Sequence, residues 1–147
     1  MKQAVRLTLG LLVLFLGLSA TGIAQDQYTE GPVSRVTLVH ILPGHFNAFM
    51  DDIKNNIKPL WESEKSAGLI ESYGIFLDQT KNGIDDWDIG FILTYENFAA
   101  LDGLGMKVLE LRMKQYGDKS KEQKVIDKRF ENAVGVSSML IRDITMK

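Results

Sequence analysis

The chain alternates between β-branched runs and segments whose apolar residues recur every three or four positions. Residues 33–42 (VSRVTLVHIL) open the pattern, with Val36, Leu38, His40 and Leu42 on one side and Thr37, Val39 and Ile41 on the other. A strand that is apolar on both sides is expected to be covered on both. Pro43 and Gly44 end it, and across residues 45–66 the positions Phe46, Phe49, Met50, Ile53, Ile57, Leu60 and Trp61 mark an amphipathic helix. Pro59 lacks an amide donor and predicts a kink or a division in that helix. Gly68 stops it. Residues 69–77 read as a second strand, Asn82-Gly83 as a turn, and residues 87–95 as a third strand with Trp87, Ile89, Phe91, Leu93 and Tyr95 on one face. Asn97 is placed to cap a helix that is broken near Gly103 and Gly105, continues to Tyr116 and ends at Gly117. Residues 119–132 form a charged helical stretch with only Val125, Ile126 and Phe130 to bury, which predicts a peripheral insertion. Residues 134–144 close the domain as a fourth strand.

The order β-α-β-β-α-β is the ferredoxin-like α+β arrangement, a four-stranded antiparallel sheet with helices on one face only. The other face needs a partner, and a second copy of the chain supplies one for both at once. Pro43-Gly44-His45-Phe46 opening the helix, Lys58-Pro59-Leu60-Trp61 within it, Ala67-Gly68-Leu69-Ile70 leaving it and Ser72-Tyr73-Gly74 in the second strand resemble the dimeric α/β-barrel superfamily. The resemblance spans the whole domain after residue 32. It implies a homodimer in which two sheets face each other with the helices outside. The superfamily includes cofactor-independent quinone monooxygenases, haem-handling enzymes, small isomerases and members without known activity, so membership does not decide function.

Ahead of the domain, Lys2 and Arg6 precede the uncharged run LTLGLLVLFLGL and small residues ending in Gly22-Ile23-Ala24, the form of a cleavable signal peptide over residues 1–24. Residues 25–32 are expected to be a flexible lead-in, and residues 33–147 one domain. The expected destination is the periplasm or the medium, with no membrane attachment after cleavage. Loss of Lys2 and Arg6 moves the net charge from -2 to -4, which excludes a basic nucleic-acid-binding surface. With no cysteine there is no disulfide, thiolate metal site or cysteine nucleophile.

No nucleotide-binding glycine motif, serine-hydrolase elbow or zinc spacing occurs, so no cofactor or metal is assigned. Asp78, Thr80, Asn82, Gly83 and Asp86 follow the start of a calcium loop, but the twelfth position is Ile89 and a plain turn is the simpler reading. His40, late in an apolar strand, is the candidate catalytic residue: a neutral imidazole there could accept a substrate proton or ligate haem iron, or it could be a core histidine satisfied by one hydrogen bond. Trp61, Tyr73, Trp87 and Tyr95 are the candidate ligand-binding residues, able to line an apolar pocket for a flat molecule with tyrosine hydroxyls to orient it, or to serve as core. Two functions follow: a homodimer that binds a small apolar or aromatic ligand, and a cofactor-independent monooxygenase or haem-handling enzyme using His40.

Overall fold

The computed structural model describes residues 27–81, 83–84 and 86–147. The expected signal peptide over residues 1–24, and Asn82 and Asp85 of the hairpin end, lie outside them. The elements are β1 (Tyr28–Ile41), α1 (Phe46–Asp52), a π-helical turn (Ile53–Ile57), α2 (Lys58–Ser66), β2 (Ser72–Leu77), β3 (Ile89–Tyr95), a 3₁₀ turn (Phe98–Leu101), α3 (Leu104–Tyr116), α4 (Lys119–Asn132) and β4 (Ala133–Met146). The sheet is antiparallel with strand order β2-β3-β1-β4, the ferredoxin-like order. β1 meets β3 from Val33↔Tyr95 to Val39↔Ile89, and β2 meets β3 from Ser72↔Thr94 to Leu77↔Ile89.

The described residues divide into two compact units, residues 27–30 with 144–147, and residues 31–143. In the first, the Lys147 amide donates to the Gln27 carbonyl at 3.0 Å and the Thr29 hydroxyl to the Thr145 carbonyl at 3.4 Å. Residues 28–32 belong to β1, which corrects that part of the expected flexible lead-in, while residues 25 and 26 lie outside the described residues. The second unit holds the core.

Alternation along the strands sorts that core. Val39 and Ile41 of β1 and Ile89, Phe91 and Tyr95 of β3 are buried with Phe49, Ile53, Ile57 and Trp61 from the helical side, and Val33 is buried on the same face of β1. The other face carries Ser34 and Thr94, whose hydroxyls lie 3.1 Å apart, with half-buried Val36, Leu38 and Ile92. Phe76 lies over Gly90 on that face so closely that a Cβ at residue 90 would stand 2.2 Å from its ring. Glycine there is what lets an aromatic side chain cross the neighbouring strand.

Pro59 divides the helix as expected. Its ring would clash with the carbonyl four residues back, and the chain widens into the π turn immediately before α2, where Pro59 sits in the first turn. Beside this turn the Asn56 carbonyl accepts from the Gln115 side chain at 2.8 Å. Asn97 caps the 3₁₀ turn through the Ala100 amide at 3.1 Å, and Gly103 and Gly117 take positive φ of 65° and 84° at either end of α3.

The expectation that residues 119–132 form a peripheral insertion is corrected. α4 buries Glu122 and Asn132, pairs Glu122 with Arg112 and Arg129 with Asp52, and leaves Phe130 67% exposed. Its attachment is made by charged residues, to which an apolar periodicity is blind.

Candidate functional site

A cavity of about 320 Å³ lies between the helices and the sheet. Thr37 and Val39 of β1, Phe91 and Leu93 of β3, and Ala133 and Gly135 of β4 form its floor; Phe49, Ile57, Leu60 and Trp61 form one wall, and Tyr116, Arg129 and Phe130 another. Its size lies at the lower end of the ~300–1,000 Å³ typical of small-molecule sites. Phe91 stands 5.3 Å from Trp61 and 6.4 Å from Phe49, ring centroid to centroid, so the aromatic wall is braced internally.

Three arginines bear on this region, and they differ in pairing. Arg129 donates to both carboxylate oxygens of Asp52, at 2.5 and 3.4 Å. Arg112 is paired with the buried Glu122. Arg35 has no carboxylate within ion-pair distance among the described residues, and its guanidinium lies 5.9 Å from the Tyr95 ring. Burial pushes the Tyr116 hydroxyl up, against a weaker opposing pull from Arg129, so it lines the cavity as a neutral donor.

Arg35 and Leu93 also line a second cavity of about 380 Å³ with Glu64, Tyr95, Leu104, Val108 and Arg112. Glu64 is 4% exposed, and burial raises its carboxyl above the ordinary range despite the opposing charges of Arg112 and Arg35. A carboxyl raised in the folded state costs nothing while both states hold the proton, and destabilises the fold increasingly as pH rises past the ordinary value. Replacing Glu64 with Gln is therefore expected to change the melting temperature progressively in the variant's favour from pH 4 to pH 8. A difference that stays constant with pH, in thermal melts of both proteins, would contradict this.

Of the residues singled out from sequence, Trp61 lines the first cavity. Tyr73 packs on Trp61 at 5.4 Å, and its hydroxyl donates to Glu62, a bond that raises the tyrosine and lowers the carboxylate. Tyr95, 2% exposed, lines the second cavity, its hydroxyl raised by burial. Trp87 precedes β3 and packs against Phe76 at 5.6 Å, on the face turned away from the helices. The four aromatics thus do not meet in one pocket.

His40 is also on that outer face and is not among the cavity residues. Its Nδ1 lies 2.9 Å from the Asp86 carbonyl and 3.0 Å from Asp88 Oδ2. Two acceptors at one nitrogen place the proton on Nδ1 and leave Nε2 as the acceptor. Asp88 is itself held by the Ile41 amide at 2.7 Å and by Lys81; burial raises its carboxyl, but these donors and His40 outweigh burial and leave it below the ordinary range. Sequence reasoning missed Arg35, Tyr116, Arg129 and Glu64. A detectable signal was Arg35, a charge on the same side of β1 as Val33 and Val39.

No group of three or more metal-binding side chains occurs among the described residues, and no helix among them is long and apolar enough to cross a membrane. No family model matches the chain, and no curated protein matches it. Among solved structures it is similar to HapK from Hahella chejuensis, with 11% identity over 74% of this chain and 90% of that one and a TM-score of 0.48. An ethyl tert-butyl ether d (EthD) family protein from Bacillus halodurans gives 14% identity over 76% of this chain and 98% of that one, with a TM-score of 0.48. A dimeric protein of unknown function and ferredoxin-like fold from Bacteroides fragilis gives 12%, 77%, 95% and 0.42 in the same order.

Proposed function

We propose that this chain is an exported homodimer that binds a small apolar or aromatic molecule between its helices and its sheet. The observation that carries the reading is the 320 Å³ cavity, walled by the rings of Phe49, Trp61, Phe91 and Phe130 with few polar groups among them. Burying a flat apolar molecule there removes its surface from water at ~25 cal/mol per Å² without unpairing any backbone group. Residues 1–24 support export, and the apolar outer face of the sheet supports pairing with a second copy.

The neutral probe N-phenyl-1-naphthylamine tests the site by fluorescence titration. Gly135 lines the cavity and has no atom within 4 Å of where a Cβ would stand. A leucine there projects into the cavity without clashing at its base. Gly135→Leu is expected to weaken probe binding at least tenfold while the melting temperature holds or rises. Equal binding by the two proteins would remove the cavity from consideration.

A second reading, proton-transfer chemistry by a cofactor-independent oxygenase or haem-handling enzyme, is favoured by the Asp88–His40 pair. A carboxylate that orients an imidazole and stabilises its protonated form is a recurrent general-base device. Oxygen uptake on quinol substrates that disappears in His40→Ala, or a Soret band on haemin titration that does so, would support it. Neither signal in the wild-type protein leaves ligand binding as the function.

A further inference from the structure

The two cavities meet at Arg35 and Leu93, which line both. Of the three arginines that line them, Arg112 and Arg129 are each neutralised by a carboxylate, whereas Arg35 is met by the face of Tyr95 and by Glu64 at a longer range. Glu64 is 4% exposed and makes no ion pair with Arg35, so no carboxylate is seated against this guanidinium among the described residues. The junction therefore holds one uncompensated guanidinium, partly withdrawn from water, at the edge of an aromatic cavity. A guanidinium in such a place binds carboxylate or sulfonate through charge-assisted hydrogen bonds, and excludes a neutral isostere because its own charge would then stay unpaired.

We propose that Arg35 reads an acidic head group, so that the site takes a monoanionic aromatic molecule with its rings against Trp61 and Phe91 and its carboxylate or sulfonate at the junction with the second cavity. This rests on the cavity being the ligand site and adds the chemistry of the ligand. Tyr95 in the second cavity and Tyr116 in the first are neutral hydroxyls, which add no competing negative charge.

Two probes on one frame separate the head from the body: 1-anilinonaphthalene-8-sulfonate, and N-phenyl-1-naphthylamine, which lacks the sulfonate. Arg35→Gln is expected to weaken the sulfonate at least tenfold and the neutral probe less than twofold, with Arg35→Lys recovering part of the loss. Sulfonate binding that is unchanged in Arg35→Gln, or equal losses of both probes in a folded variant, would overturn the proposal. A measurement on the wild-type protein covers the case in which the variant does not fold. Naphthalene-2-carboxylate should displace the neutral probe at a concentration at least ten times lower than naphthalene-2-carboxamide, and equal potency overturns the role of Arg35. If the wild-type protein binds neither probe, the cavity reading itself fails; if it binds the neutral probe alone, only the acidic head is wrong.

Discussion

Replacing Trp61 with alanine is expected to destabilise the fold by about 3–5 kcal/mol, the range for truncating a buried aromatic. Trp61 is 8% exposed and its ring is in contact with Tyr73 on one side and Phe91 on the other. Its removal takes away the transfer free energy of the indole. It also extends an existing cavity, so the surroundings cannot close over the gap as they would in a fully packed core. A domain of this size has ~5–15 kcal/mol in all, and the variant should melt well below the wild type or be partly unfolded at 37 °C. Urea denaturation followed by circular dichroism, which does not depend on the lost tryptophan signal, measures it. A loss under 1 kcal/mol would mean that the indole is not part of the core.

The domain after residue 32 is expected to be a dimer, and Val136→Asp to convert it to monomer or aggregate. Ala133 and Gly135 line the cavity, so Val134 and Val136 point to the opposite side of β4, where they are 50% and 48% exposed. Phe76, 38% exposed, and half-buried Val36, Leu38 and Ile92 share that side of the sheet. Among the described residues the helices lie on the cavity side, where α1, α2, α3 and α4 contribute Phe49, Trp61, Tyr116 and Phe130. Each Å² of this surface left in water forgoes ~25 cal/mol, and a two-fold interface removes the loss from both copies. Light scattering at micromolar concentration should give about twice the chain mass. A clean monomer at high concentration would sink the prediction. An aspartate at 136 desolvates a charge in the interface while leaving the interior untouched, so the variant monomer should keep its secondary structure.

The order of elements was legible because β-branched runs and three-or-four spacings are separated by glycine and proline in nearly every case. Boundaries were less so: the predicted second strand began at residue 69, yet Ile70 is buried in the turn ahead of β2, serving the core without pairing. The helix at 119–132 has the bounds its sequence predicts, but its attachment was not legible, because it is held by the ion pairs Arg112–Glu122 and Asp52–Arg129 rather than by an apolar stripe. The candidate site was half legible for a related reason. Trp61 announces itself by type and spacing, but the polar side of the cavity is assembled from β1, α3 and α4, and residue types alone do not reveal which arginines lack a carboxylate. The partners of His40 belong to the same class, since the sequence gives no hint that Asp88 turns back to the end of β1.

The π turn before Pro59 sets the phase of the whole first helical segment. Phe49, Ile53, Ile57 and Trp61 are all buried at steps of four residues. In a regular α-helix each such step overshoots a full turn by about 40°, so three of them would carry Trp61 about 120° around from Phe49 and off the sheet. One residue absorbed by the wider turn takes back most of that drift, and both halves of the segment face the same strands. Deleting one residue at Lys54 or Asn55, both exposed, would therefore remove the wide turn and leave a regular α-helix, whose eleven steps from Phe49 to Trp61 come to three turns and about 20°, so that Trp61 and Glu64 keep their places at the two cavities.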